Sequence, residues 1–144
     1  MEFTSQICTT KEQSERLLAL RLKRETADMC WTIRADDREG NEYPVEYMSI
    51  GQGEYQMMHP NWYIPAWSLH RLIEMMPNKI RVHGSSASLI VSNEKVQYYL
   101  HDVEYSDYLT GVGCWKSGNI YDNIIDCIEW LIGAGYFYKE YLEE

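Results

Sequence analysis

The stretch SGNIYDNIIDCIEWLIGAG, residues 117–135, constrains the fold more than any other part of the chain. Ile120, Tyr121, Ile124, Ile125, Ile128, Leu131 and Ile132 recur at the three-and-four spacing of a helical face. Cys127, Trp130 and Ala134 widen that stripe, while Asn119, Asp122, Asp126 and Glu129 fall on a narrow polar strip. A helix apolar over so much of its circumference has to be covered by other elements. Both ends are marked. Asn119 suits the N-cap, Asp122 places a negative charge in the first turn, and Gly135 suits the left-handed residue past the end. The expected element is a helix of about 15 residues, roughly 22 Å long.

The rest of the chain supplies the cover. Thr9 and Thr10, followed three residues later by Glu12 and Gln13, form a capping-box pattern. The first helix then runs to about Arg24, with Leu17, Leu18, Leu20 and Leu22 on its inner side. Arg21, Lys23 and Arg24, the chain's one basic cluster, would close it as a solvated helix end. MCWTIR at residues 29–34 and residues 43–50 read as a strand pair around the turn ADDREGNE, and Pro44 puts the second strand near a sheet edge. Residues 54–67, EYQMMHPNWYIPAW, lie outside any regular element, and Pro65 opens a second helix that Pro77 stops. KIRVH, SLIVS and KVQYYLHDVEY are strands separated by the turns SSAS and SNE. A polar loop carrying Gly111, Gly113 and Gly118 leads into the final helix, and YFYKEYLEE closes as a short strand with an acidic tail.

These elements make a single α+β domain over residues 1–144, with an antiparallel sheet of about five strands and three helices. The C-terminal helix packs across the sheet, flanked by the second helix. A chain of 144 residues buries enough surface to fold without disulfides or metal. Its cysteines, Cys8, Cys30, Cys114 and Cys127, contain no CxxC pair, which argues against a zinc knuckle or a redox dithiol and leaves reduced thiols. No apolar run reaches the roughly 18 residues of a transmembrane helix. The first residues lack a basic start followed by an apolar block, so the expected location is cytoplasmic. The net charge of −9 disfavours nucleic acid as a partner, because phosphate neutralisation needs clustered Lys and Arg.

Candidate sites are few. GQG at residues 51–53 lacks the Lys-Ser/Thr pair and following helix of a phosphate loop. Cys114, in GVGCW, resembles the nucleophile region of papain-like proteases. All four histidines (His59, His70, His83, His101) precede it, the reverse of that family's order. His83 and His101 with Asp102 and Glu104 would form a divalent-metal cluster if the strands brought them together. Asp36, Asp37 and Glu39 read as a solvated turn. The composition is unusual in its twelve Tyr, five Trp and seven Met, residue types enriched at protein interfaces. Tyr55, Met57, Met58, Trp62 and Tyr63 concentrate them in one segment. Two uses compete for it: packing back over the sheet, or forming an adaptable partner surface.

IPAWSLHRLIEMMP at residues 64–77 and NIYDNIIDCIEWLIGAGYFYKEYL at residues 119–142 resemble blocks in small hypothetical proteins of gut-bacterial genomes and their prophages. The resemblance leaves out residues 29–61. Those proteins have no assigned activity, so it carries over no functional residue, and it implies an intracellular accessory protein acting through contacts. The expectation is therefore a non-enzymatic interaction protein without cofactor, binding a protein partner or a second copy of itself. The alternatives are a small cysteine or metal-dependent hydrolase, and an acidic inhibitor of a nucleic-acid enzyme.

Overall fold

A computed structural model describes residues 5–33, 42–46, 63–100 and 111–144. The fold is α+β, as expected, with three α-helices among the described residues: α1 (Lys11–Ala19), α2 (Leu69–Met75) and α3 (Ile120–Ala134). The strands form two antiparallel sheets rather than one of about five strands. Strands β1 (Met29–Ile33), β2 (Glu42–Glu46) and β3 (Tyr63–Ala66) pair in the order β2-β1-β3. Strands β4 (Lys79–Val82), β5 (Ser85–Val91), β6 (Val96–Leu100) and β7 (Gly111–Trp115) pair in chain order. The chain divides into two compact units, one of residues 1–72 with 141–144 and one of residues 73–140.

In the first unit, α1 starts at the capping box. The Gln13 N–H donates to Thr10 Oγ1 (3.1 Å), and the Thr10 N–H donates to Gln13 Oε1 (2.9 Å). The helix ends at Ala19, short of the expected Arg24, because Arg21 takes a left-handed φ of 74°. The Leu22 N–H then reaches back to Leu17 O (3.2 Å) and the Arg21 N–H to Leu18 O (2.9 Å). This is a Schellman ending, sealed by the buried pair Leu17 and Leu22. Arg24–Thr26 forms a separate 3-10 turn.

Both outer strands of the first sheet carry a proline. Pro44 of β2 lies opposite Trp31 and Pro65 of β3 lies opposite Cys30, each on the edge of β1. A residue with no N–H is tolerated on an edge strand, where one side of the backbone has no ladder to complete. The expected use of Pro65 as a helix opener is corrected: residues 63–66 are consumed by pairing with β1, and α2 begins at Leu69. Cys8, Met29 and Ala66 bury one another on one face of this sheet, with Trp31 against them.

In the second unit the hairpin between β4 and β5 turns at His83–Gly84, not at SSAS. Both residues have positive φ (51° and 83°), as a two-residue type I′ turn requires, and Val82 pairs with Ser85. Ser85–Val91 is then free to alternate as a strand. The expected glycine loop is likewise a strand. Gly113 of β7 lies opposite Tyr98, and a Cβ there would clash with the Trp115 ring. The missing side chain is what lets that indole lie back over its own strand.

Helix α3 forms over the expected residues and packs on β6 and β7. Its Asn119 cap accepts from the Asp122 N–H (2.9 Å). Gly135, at φ 81°, ends it in a second Schellman turn, with the Tyr136 N–H on Leu131 O (2.8 Å). Ile124, Ile125, Ile128 and Leu131 have no exposed surface. Each contributes about 1.5–3 kcal/mol by burial. Asn123, also wholly buried, is satisfied by the Gly118 backbone: its Nδ2 donates to Gly118 O (3.1 Å), and its Oδ1 accepts from the Gly118 N–H (3.0 Å). Trp130 leaves the stripe to sit among Trp115, Tyr136 and Tyr98, with ring centroids at 5.4, 5.7 and 6.2 Å.

Candidate functional site

The aromatic and Met segment reaches the described structure at one end. Tyr55, Met57, Met58 and Trp62 lie outside the described residues, and Tyr63 enters as the first residue of β3, its backbone paired with Thr32. The residues just after β3 are held firmly. Trp67 is completely buried, and three hydrogen bonds fix it to other elements of the unit. Its indole N–H donates to Thr26 Oγ1 (3.0 Å), whose hydroxyl donates on to Lys23 O (2.6 Å). Its backbone N–H donates to Thr9 Oγ1 (3.1 Å), and its carbonyl accepts from the Thr9 N–H (2.9 Å). Thr9 is tied in turn to the Ser14 hydroxyl (2.7 Å), and its carbonyl accepts from the Trp31 indole (2.9 Å).

Ser68 continues the anchor as the cap of α2. Its N–H donates to Asp28 Oδ1 (2.8 Å), its hydroxyl donates to Asp28 Oδ2, and the same hydroxyl oxygen accepts from the Arg71 N–H (3.2 Å). Arg71 Nε donates to Thr26 O (2.7 Å), and its guanidinium lies 5.7 Å from the Tyr141 ring centroid. A serine beside an aspartate suggests nucleophilic chemistry. Here both partners are spent on a helix start, because the hydroxyl proton goes to a carboxylate already bonded to the same residue's backbone. The network of Thr9, Ser14, Thr26, Asp28, Ser68 and Arg71 is a buckle that fixes the backbone just after β3. None of it was legible in the sequence, since its hydrogen bonds join residues up to 58 positions apart along the chain.

The basic cluster is not a solvated helix end. The Lys23 N–H donates to Tyr141 O (2.8 Å), the Glu143 N–H donates to Arg21 O (2.7 Å), and Leu22 pairs antiparallel with Leu142. The Arg21 guanidinium donates to the Glu144 carbonyl. The acidic residues 143–144 thus lie against the basic turn, which places 141–144 in the first unit.

Three of the four thiols are buried. Burial pushes Cys8 and Cys30 up to about 11, Cys8 with added repulsion from the Asp28 charge, and Cys127 up to about 12. A thiol held in its neutral form is a poor nucleophile at neutral pH. Cys114 is exposed on β7, and its cross-strand neighbour is Gln97, which pairs in turn with Ile90. Neither residue can accept its proton. His83 occupies the exposed hairpin turn, while His59, His101, Asp102 and Glu104 lie outside the described residues, as do Asp36, Asp37 and Glu39. Among the described residues no three metal-ligating side chains come together, and no helix is long and apolar enough to cross a membrane. Compared with family models, curated proteins and solved structures, the chain matches none.

Proposed function

We propose that this chain is a non-enzymatic interaction protein, an intracellular accessory factor of a bacterial or prophage genome, that engages a protein partner or a second copy of itself. Its contact residues are Tyr55, Met57, Met58, Trp62 and Tyr63. The observation that carries the reading is the anchoring just after this segment. Tyr63 opens an edge strand, and Trp67 and Ser68 behind it are locked by hydrogen bonds to Thr9, Thr26 and Asp28. A rigid anchor at one end lowers the ordering cost of a binding segment, and Tyr, Trp and Met bring large adaptable contact area. Cys114, exposed opposite Gln97, and the spent Ser68–Asp28 pair give no comparable support to a hydrolase.

The test replaces Met58 with Lys and Trp62 with Ser in the same chain. Circular dichroism should be unchanged, while the mass measured by light scattering falls or a captured protein is lost. Unchanged mass together with unchanged capture refutes the reading.

A further inference from the structure

Residues 20–24 fold against their own preference. Leu20, Arg21, Leu22, Lys23 and Arg24 are all strong helix formers, and they follow α1 directly. The helix nevertheless stops at Ala19, and a 3-10 turn resumes at Arg24–Thr26. What separates the two is Arg21 at φ 74°. A residue with a Cβ enters that region at a disadvantage of about five- to thirtyfold, which a glycine avoids. The strained turn has a partner. Leu142 pairs antiparallel with Leu22, the Lys23 N–H donates to Tyr141 O (2.8 Å), and the Glu143 N–H donates to Arg21 O (2.7 Å). The Arg21 guanidinium donates to the Glu144 carbonyl, and the Tyr141 ring centroid lies 5.7 Å from the Arg71 guanidinium. In a longer α1 the same two backbone groups have other partners: the Lys23 N–H donates to Ala19 O, and Arg21 O accepts from the Glu25 N–H. Each bond to residues 141–144 therefore excludes one bond of the longer helix. The paired segment is lightly held. Tyr141 and Leu142 are half-buried, Glu143 and Glu144 are exposed, and no residue of the preceding turn Lys139–Tyr141 is buried.

We propose that residues 141–144 are a detachable strap that sets the length of α1. With the strap seated, the helix ends at Ala19. With the strap displaced, α1 runs on through Lys23 into the turn at Arg24–Thr26. Both states satisfy Arg21 O and the Lys23 N–H, but with different partners, which gives two discrete arrangements rather than a continuum. Relief of the left-handed arginine favours the longer helix, and the strap's pairing favours the shorter one. The added turn shortens residues 20–23 to about 1.5 Å each, which draws Thr26 away from the Trp67 indole. The device is independent of the reading of Tyr55–Tyr63 and stands or falls without it.

The test is NMR on the isotopically labelled full chain. Leu142→Asp together with Glu143→Pro sets a charge opposite Leu22 and removes the N–H that reaches Arg21 O, so the strap is displaced. The Cα shifts of Arg21, Leu22 and Lys23 should then move to helical values, and the Trp67 indole N–H resonance should move with them. Arg21→Gly relieves the strain and weakens the longer helix, so exchange of the Lys23 and Glu143 amides should slow about fivefold or more. Should the double variant unfold, saturation-transfer measurements on the unaltered chain decide. A minor state with helical shifts at residues 21–23 supports the strap, and the absence of one overturns it. Residues 21–23 that keep their shifts, or turn to coil, when the strap is displaced overturn the proposal. The Leu17–Leu22 ending would then hold by itself. Unchanged or faster exchange in Arg21→Gly also overturns it.

Discussion

The same substitution made two residues apart should move stability in opposite directions. Gly133 lies in the last turn of α3 and Gly135 lies just past it, and a Cβ built at either meets nothing within 4 Å. Neither substitution creates a clash, so only the backbone decides. At Gly133 the backbone is helical, and replacing Gly by Ala removes a conformational-entropy penalty of about 0.5–1 kcal/mol. At Gly135, with φ at 81°, an alanine has to adopt the left-handed region at a cost of about 1–2 kcal/mol. Part of that is offset, by about 0.4–1 kcal/mol, because the unfolded chain also becomes stiffer. Gly133→Ala should therefore stabilise and Gly135→Ala destabilise, with a gap of about 1.5 kcal/mol, or roughly tenfold in the folding equilibrium. Urea unfolding followed by Trp fluorescence reads this directly, since Trp130 lies on the same helix. If Gly135→Ala stabilises as much as Gly133→Ala, residue 135 is not left-handed. The Schellman closure from Tyr136 to Leu131 would then be wrong, with the helix running on.

The buckle and the thiols give further expectations. Asp28→Ala leaves two Ser68 donors without their acceptor and should cost about 1–3 kcal/mol in urea unfolding, whereas a loss under about 0.5 kcal/mol would mean water replaces the carboxylate. A thiol reagent applied to native protein should modify Cys114 at once and Cys8, Cys30 and Cys127 only on unfolding; fast labelling of a second thiol contradicts the packing. The same buried thiols set a pH dependence. Their folded pKa values of about 11 to about 12 lie above the ordinary thiol value, so the stability they confer is complete below about pH 8.5 and is lost as pH rises towards those values. Denaturation midpoints should fall over that window, and by less in a Cys127→Ala variant compared with its own value at pH 7.

Which signals were readable depends on how far they reach. Thr10 with Gln13 at one helix start, and Asn119 and Gly135 at the two ends of α3, each act within one turn of the helix end they mark, and the structure uses all four as the spacing implies. Arg21 performs the role Gly135 performs, but a left-handed arginine leaves no mark in a sequence, so the first helix reads too long. By local signals alone Tyr63–Ala66 and Gly111–Trp115 read as loops, because Pro65 and the two glycines are loop residues locally, yet both are strands. Pairing with β1 rescues the first, and the close approach of Trp115 explains the second. Of the candidate contact residues, the sequence singled out the segment by composition, and the structure adds the anchor behind Tyr63.

By itself, then, the sequence determined the class of fold, the helix at residues 120–134 and its two caps, because periodicity and capping are local in their physics. Only the tertiary structure decided that the strands form two sheets and that residues 141–144 clasp the basic turn. Those features depend on register and on pairing between distant residues. Many registers satisfy the same alternation of apolar and polar residues, and the choice among them is made by the whole packed chain.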